Sequence, residues 1–212
     1  MCLIVDLSLE IFDKASTFDA DPKTEINQFH TIESMGYNIT KLSMSSHLGT
    51  HMDAPYHFLA EGKTIDQIDL SKFIGKARIV DFSSKKAGSF IDVEDLIPHR
   101  EKFTTDARII LRTDWSLEYG KDHFFSHFPQ ITINAAKWIA DKEIGLLGLE
   151  TPSLNSTDYI PVHQHLLKKQ IVIIEALNNV KEIPKEEFKL IALPLRIKHG
   201  DGSPVRAVGI VE

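Results

Sequence analysis

Apolar, β-rich runs recur along the chain at Leu3–Leu7, Asn38–Met44, Ala77–Phe82, Ala107–Arg112, Gly145–Leu149, Ile171–Leu177 and Lys189–Ile197. Helical spacing lies between several of them. Asp92–Phe103 opens on an acidic cap residue and sets Val93, Leu96 and Ile97 on one face, and Thr132–Lys142 does the same with Ile133, Ala136, Trp138 and Ile139. The clearest unit runs from the strand Gly145–Leu149 through a Thr-Pro-Ser turn and a helix near Pro161–Lys169 into the apolar run Ile171–Ile174. A βαβ unit of this kind predicts adjacent parallel strands whose loops gather at one edge of the sheet. The remaining strands can pair antiparallel. The predicted fold class is therefore α/β: one domain over residues 1–212, with a mixed β-sheet flanked by helices. The segment Phe12–Met35 carries little periodicity and predicts a pocket lid or a dimer arm.

Composition narrows the function classes. The chain has 212 residues, 42% of them hydrophobic and 25% charged, an ordinary balance for a globular protein, with no repeat or low-complexity tract. Its formal charge of -6 is spread along the chain, and no Lys/Arg cluster is interleaved with aromatics, which argues against a nucleic-acid partner. Cys2 is the only cysteine; it excludes an intramolecular disulfide and a cysteine-rich zinc site and suits a reducing compartment. Asp6 interrupts the first apolar run, and no stretch approaches the roughly 18 apolar residues of a membrane span. The expectation is a cytoplasmic protein that neither enters nor crosses a membrane.

One stretch, SHLGTHMDAPYHF over Ser46–Phe58, concentrates His47, His51, Asp53 and His57. On a straight strand these odd-numbered residues would share a face, yet His47 and Asp53 would stand about 20 Å apart, too far to share an ion. The segment must bend. Gly49 can supply a positive φ and Pro55 a second restraint, while both argue against a continuous helix, so a strand ending in a bent loop is expected. Neutral imidazoles bind zinc, cobalt or manganese, and a carboxylate can bridge two such ions. The bland alternative, a hydrogen-bonded histidine patch under a loop, is the better reading of any single histidine and the poorer reading of the set.

The pattern His47, Gly49, Thr50, His51, Asp53, Pro55, His57 resembles the HxGTHxDxPxH signature of the cyclase family of metal-dependent hydrolases, which includes bacterial-type kynurenine formamidases and isatin hydrolases. The resemblance extends along the chain. Asp6-Leu7-Ser8 is similar to the family's opening DLS, Gly148–Ser153 to its GxDTPS segment, His163–Glu175 to its HxxLL...E element and Leu193–Arg206 to its closing PLR...DGSPVR run. It implies a swivelling β/α/β-like architecture and a metal held by His47, His51 and Asp53, with Asp53 bridging to a second ion bound by His163 and Glu175. One or two divalent ions, Zn2+ or Mn2+, are expected. Glu175 follows four apolar residues, where a charge is costly unless an ion or partner receives it. His165 is a nearby alternative to His163. Glu150 stands where the family usually has aspartate, and the extra methylene bears on the substrate side of the site.

An ion with an open position makes water nucleophilic at neutral pH and polarises a carbonyl, which is amide-hydrolysis chemistry. The resemblance assigns His57 to acid–base work, for which imidazole is suited; its alternative role is a fourth ligand. No GxSxG, GxGxxG or Walker motif competes. The implied substrate is a small amide or lactam: an aryl formamide such as N-formylkynurenine, or isatin. Tyr56 and Phe58, with Phe12 or Phe18, are the aromatic candidates to bind it. Asp201-Gly202 reads as a hairpin turn flanked by Arg196 and Arg206, and Asp114-Trp115 as a candidate pocket wall. Relatives of this kind are commonly homo-oligomers, so a homodimer or homotetramer is expected. A non-catalytic metal-binding or regulatory protein on the same scaffold is the rival reading.

Overall fold

The computed structural model describes residues 2–212. In chain order its first elements are β1 (Leu3–Asp6), β2 (Glu25–His30), α1 (Ile32–Met35), β3 (Ile39–Ser43), β4 (His51–Asp53), β5 (Ile74–Asp81), β6 (Phe90–Ile91), α2 (Val93–Leu96) and β7 (Arg108–Arg112). They are followed by β8 (Gln130–Ile131), α3 (Ile133–Asp141), β9 (Leu146–Leu149), α4 (Tyr159–Leu167), β10 (Val172–Glu175), β11 (Glu187–Ile191), β12 (Gly202–Pro204) and β13 (Val208–Val211).

A nine-stranded curled sheet in the order β1-β13-β11-β5-β7-β9-β10-β4-β12 takes strands from both ends of the chain. Its middle, β5-β7-β9-β10, is parallel, and every other pairing is antiparallel, so the sheet is mixed as expected. The predicted βαβ unit is β9-α4-β10, with Leu146 facing Val172 and Gly148 facing Ile174 in register. Alternation along the central strands feeds two cores: Ile110, Leu146, Val172 and Ile174 face one, Ile109, Leu111, Leu147 and Ile173 the other. Helices α3 and α4 bury Ala136, Ile139, Val162 and Leu166 in the second core only. The first is closed by the curl of the sheet itself, through Val5, Leu190 and Val211.

Several predicted elements come out shorter. The α-helical part of Asp92–Phe103 ends at Leu96 and continues as a 3-10 helix over Ile97–Lys102, because Pro98 lacks the N–H that an α-helix needs there. The run Lys189–Ile197 is a strand only to Ile191; Pro194 retains a single bridge to Val205. The Asn38–Met44 run is β3, but it pairs with β2 in a separate two-stranded hairpin, placing regular structure inside the aperiodic segment.

Candidate metal centre and cavity

The chain bends on both sides of a short strand. Gly49 takes φ +62°, and Thr50 Oγ1 both accepts the Leu9 N–H at 2.8 Å and donates to the Ala176 carbonyl at 2.6 Å, fastening the turn to the sheet. The three-residue β4 follows and a 3-10 turn over Pro55–His57 ends the segment. Met52 points into the first core, so His51 and Asp53 face away from it. In the antiparallel register with β10, Glu175 lies opposite His51; with β12, Gly202 lies opposite Asp53.

His47, His51, Asp53, His163 and Glu175 are thereby brought to one centre. His47 Nδ1 is 2.9 Å and His51 Nε2 3.5 Å from Asp53 Oδ1; His163 Nε2 is 3.7 Å from Asp53 Oδ2 and 3.2 Å from Glu175 Oε1; His51 Nε2 is 3.5 Å from Glu175 Oε2. Potential ligand atoms of His51, Asp53 and Glu175 lie within 4.8 Å of one another, and so do those of His47, Asp53 and His57, so Asp53 is common to two groups. The residues fit a divalent cation on chemical grounds. The Nδ1 atoms of His51 and His163 face the Gly49 and Tyr159 carbonyls at 2.9 and 2.6 Å, which in the neutral rings leaves each Nε2 lone pair aimed at carboxylates. Asp53 Oδ2 is buried with no hydrogen-bond partner, a costly state that a cation would relieve.

Burial opposes a charge on His47, but hydrogen bonds with Asp201 and Asp53 outweigh it and raise its pKa to about 10. Burial likewise opposes charge on Asp53, yet the surrounding imidazoles hold it well below the usual carboxylate range. Burial and the Asp53 charge push Glu175 upward, and hydrogen bonds from His163 and His51 outweigh them, so it too is lowered.

Asp201 is the residue that sequence reasoning missed. Gly202 begins β12 rather than completing a hairpin turn, and Asp201 Oδ2 reaches His47 Nε2 at 3.0 Å and His57 Nδ1 at 3.6 Å, while Oδ1 accepts from Ser46 Oγ at 2.9 Å. The hydrogen bond with His47 and the proximity of His57 hold Asp201 far below the usual carboxylate range. His57 stacks on His47 at a ring separation of 3.9 Å.

A cavity of about 620 Å³ opens over the centre, walled by Phe18, Phe58, Phe125 and Tyr159. Phe58 stacks on His163 at 4.4 Å, and Phe18 meets Phe125 edge-on at 4.9 Å. Tyr56 and Phe12 are exposed and lie outside this lining. His165 stays away from the centre; burial and then Lys137 and Lys168 lower its pKa. Arg206 pairs with Asp6 at 2.6 Å on the surface. Trp115 is buried beside Phe124 and Phe128, behind the cavity wall rather than on it. Glu150 turns away from the substrate side: it accepts the Thr113 and Asp114 N–H groups at 2.7 and 2.6 Å and the Ser116 hydroxyl at 3.2 Å.

The fold as a whole has known counterparts. It is similar to an isatin hydrolase bound to the product analogue thioisatinate, with a TM-score of 0.90 at 23% identity over 99% of this chain and 92% of the other. It is also similar to a potential metal-dependent hydrolase with cyclase activity, with a TM-score of 0.85 at 23% identity over 100% and 99% of the two chains. The model of the family described as putative cyclase matches residues 5–156, and the chain belongs to that family. A kynurenine formamidase of Bacillus thuringiensis (strain Al Hakam) is 34% identical over 210 residues, covering 96% of this chain and 95% of the relative. One of Bacillus cereus (strain ZK / E33L) is 34% identical over 208 residues with the same coverage.

Proposed function

We propose that this chain is a metal-dependent amidohydrolase that cleaves an aryl formamide, with N-formylkynurenine as the leading substrate. The observation that carries the reading is Asp53 Oδ2, buried without a partner among histidine and glutamate ligand atoms beneath an aromatic cavity. The likeness to kynurenine formamidases along nearly the whole chain supports the choice of amide. His47, His51 and Asp53 would hold one ion, and His163 and Glu175, with Asp53 between, a second; zinc and manganese suit this nitrogen and oxygen donor set.

A bound ion supplies a water of lowered pKa and polarises the formyl carbonyl. Phe18, Phe58 and Phe125 receive the aryl ring and set the formyl carbon against the centre. Water adds to that carbon and gives up one proton to His57, the C–N bond breaks, the departing aryl amine takes that proton, and formic acid leaves as formate with loss of the second. His57 carries the first proton: with Nδ1 on the Asp201 side, its Nε2 is left for the cavity, and stacking on His47 fixes the ring. Asp201 orients both rings.

The cytoplasm, one hydrolase domain spanning the chain and a homodimer or homotetramer complete the reading. No helix among the described residues is long and apolar enough to cross a membrane. The β2-β3 hairpin and α1 leave Phe29 62%, Ile32 61% and Leu42 56% exposed, an apolar surface that a second copy would cover.

The test is formate release from N-formylkynurenine and formanilide, with ring opening of isatin to isatinate followed separately by absorbance, by protein loaded with zinc or manganese. Turnover of the formamides, lost with chelator and restored by metal, is expected. Ring opening of isatin in place of formamide cleavage would move the assignment to a lactam hydrolase. No turnover of any amide while metal stays tightly bound would overturn it in favour of a non-catalytic metal-binding protein.

A further inference from the structure

The cavity over the centre has an acidic residue that the proposed chemistry does not use. Asp21 lines it and is half-buried, and among the described residues no hydrogen bond or ion pair engages its carboxylate. The other acidic residue in the lining, Glu175, is committed to His163 and His51. No lysine or arginine lines the cavity. A partly desolvated carboxylate with no cation of its own favours a cationic ligand group, because Coulomb attraction grows as the local dielectric falls.

The backbone links this charge to the aromatic wall. The Asp21 N–H donates to the Phe18 carbonyl at 3.0 Å, a turn that presents the ring of Phe18 and the carboxylate of Asp21 to the same space three residues apart. A ligand that lays an aromatic ring against Phe18 and Phe125 can therefore bring a side-chain ammonium to Asp21. A ligand bearing only a carboxylate would meet repulsion there, and neutral hydroxyls such as Ser153 elsewhere in the lining.

We infer that Asp21 is a substrate-specificity residue that binds a primary ammonium group, so that this site selects aryl formamides carrying an amino-acid side chain over those without the amine. The inference rests on the amidohydrolase reading above and deepens it. N-formylkynurenine has that ammonium on the chain ortho to its formamide.

The test compares kcat/KM for N-formylkynurenine with that for its deamino analogue, which keeps the ring, ketone, formamide and carboxylate and lacks only the α-amine. The wild-type protein is expected to prefer the amine-bearing substrate at least tenfold. Asp21→Asn is expected to cut that ratio at least fivefold, mainly through KM, and Asp21→Glu to recover part of it. A ratio near one in the wild type, or a ratio that Asp21→Asn leaves in place, would overturn the inference while the hydrolase reading stands. Cleavage of neither formamide by the metal-loaded wild type would remove both.

Discussion

Gly202 lies directly against the imidazole of His47: a Cβ placed on it would come within 2.7 Å of His47 Cε1 and 2.7 Å of the Met52 carbonyl oxygen. Both neighbours are fixed, His47 by Asp53 and Asp201 and Met52 by the pairing of β4 with β12. The absence of a side chain at 202 is thus part of the proposed metal centre. Gly202→Ala is expected to lower bound metal per chain and reduce turnover at least tenfold, measured by metal analysis and formate release on the same preparation. Full metal content in that variant would mean that the strand pair relaxes without disturbing His47.

His57 belongs by geometry both to a candidate ligand group and to the cavity wall. Acid–base work predicts that His57→Ala loses at least tenfold in turnover while metal content stays near wild type. If metal is lost as well, His57 is a ligand. Asp201→Asn should reproduce part of the loss, since it weakens the partner that orients both His47 and His57.

What the sequence made legible was local. The β9-α4-β10 unit could be read because its periodicity, turn and apolar run are contiguous, and the Ser46–Phe58 cluster because its ligand types crowd thirteen positions. Pro98 and Pro194 were visible as residues, but the apolar pattern running past each concealed where the element stops. The β2-β3 hairpin was only half legible because every residue of β3 is exposed, so no buried face imposes alternation. Asp201 escaped for a different reason: its partner His47 is 154 residues away, and only the β4-β12 pairing brings them together. An acidic residue beside Gly-Ser-Pro was the available signal, and turn chemistry explained it equally well.

Glu150 makes stability depend on pH. Burial pushes its carboxyl up from 4.5 to about 6, against the two backbone N–H groups that favour its charge. With the folded pKa above the unfolded one, its contribution is full below about pH 4.5 and is lost as pH rises through about 6, on the order of 2 kcal/mol. In Glu150→Gln the amide oxygen can accept both N–H groups and the amide nitrogen can donate to Ser116 Oγ. Urea unfolding should find this variant more stable than wild type at pH 7.5 by up to about 2 kcal/mol, with the difference closing toward pH 4.

Tyr119 carries a buried hydroxyl without a partner. An unpaired buried hydroxyl costs about 1–3 kcal/mol, and phenylalanine fills the same space without it. Tyr119→Phe is therefore expected to hold or raise stability, by about 1 kcal/mol in denaturant unfolding. A clear loss would mean that the hydroxyl is bonded in solution, through water or a ligand.

Metal removal should be felt by the fold as well as by catalysis. Asp53 and Glu175 are buried carboxylates, and they raise the pKa values of His47 and His163, which hold protons more tightly when no ion is bound. Binding an ion releases those protons, so metal affinity should rise with pH across the neutral range. At a free metal concentration 1,000 times Kd the folded state gains about 4 kcal/mol. Thermal unfolding at pH 7.5 with zinc, with manganese and with chelator is expected to place the chelated protein lowest by several degrees, and the gap should narrow at pH 5.5 as protons compete for His47 and His163. An unfolding temperature indifferent to metal and chelator at both pH values would show that the cluster is a hydrogen-bonded patch and would remove the basis for the hydrolase mechanism.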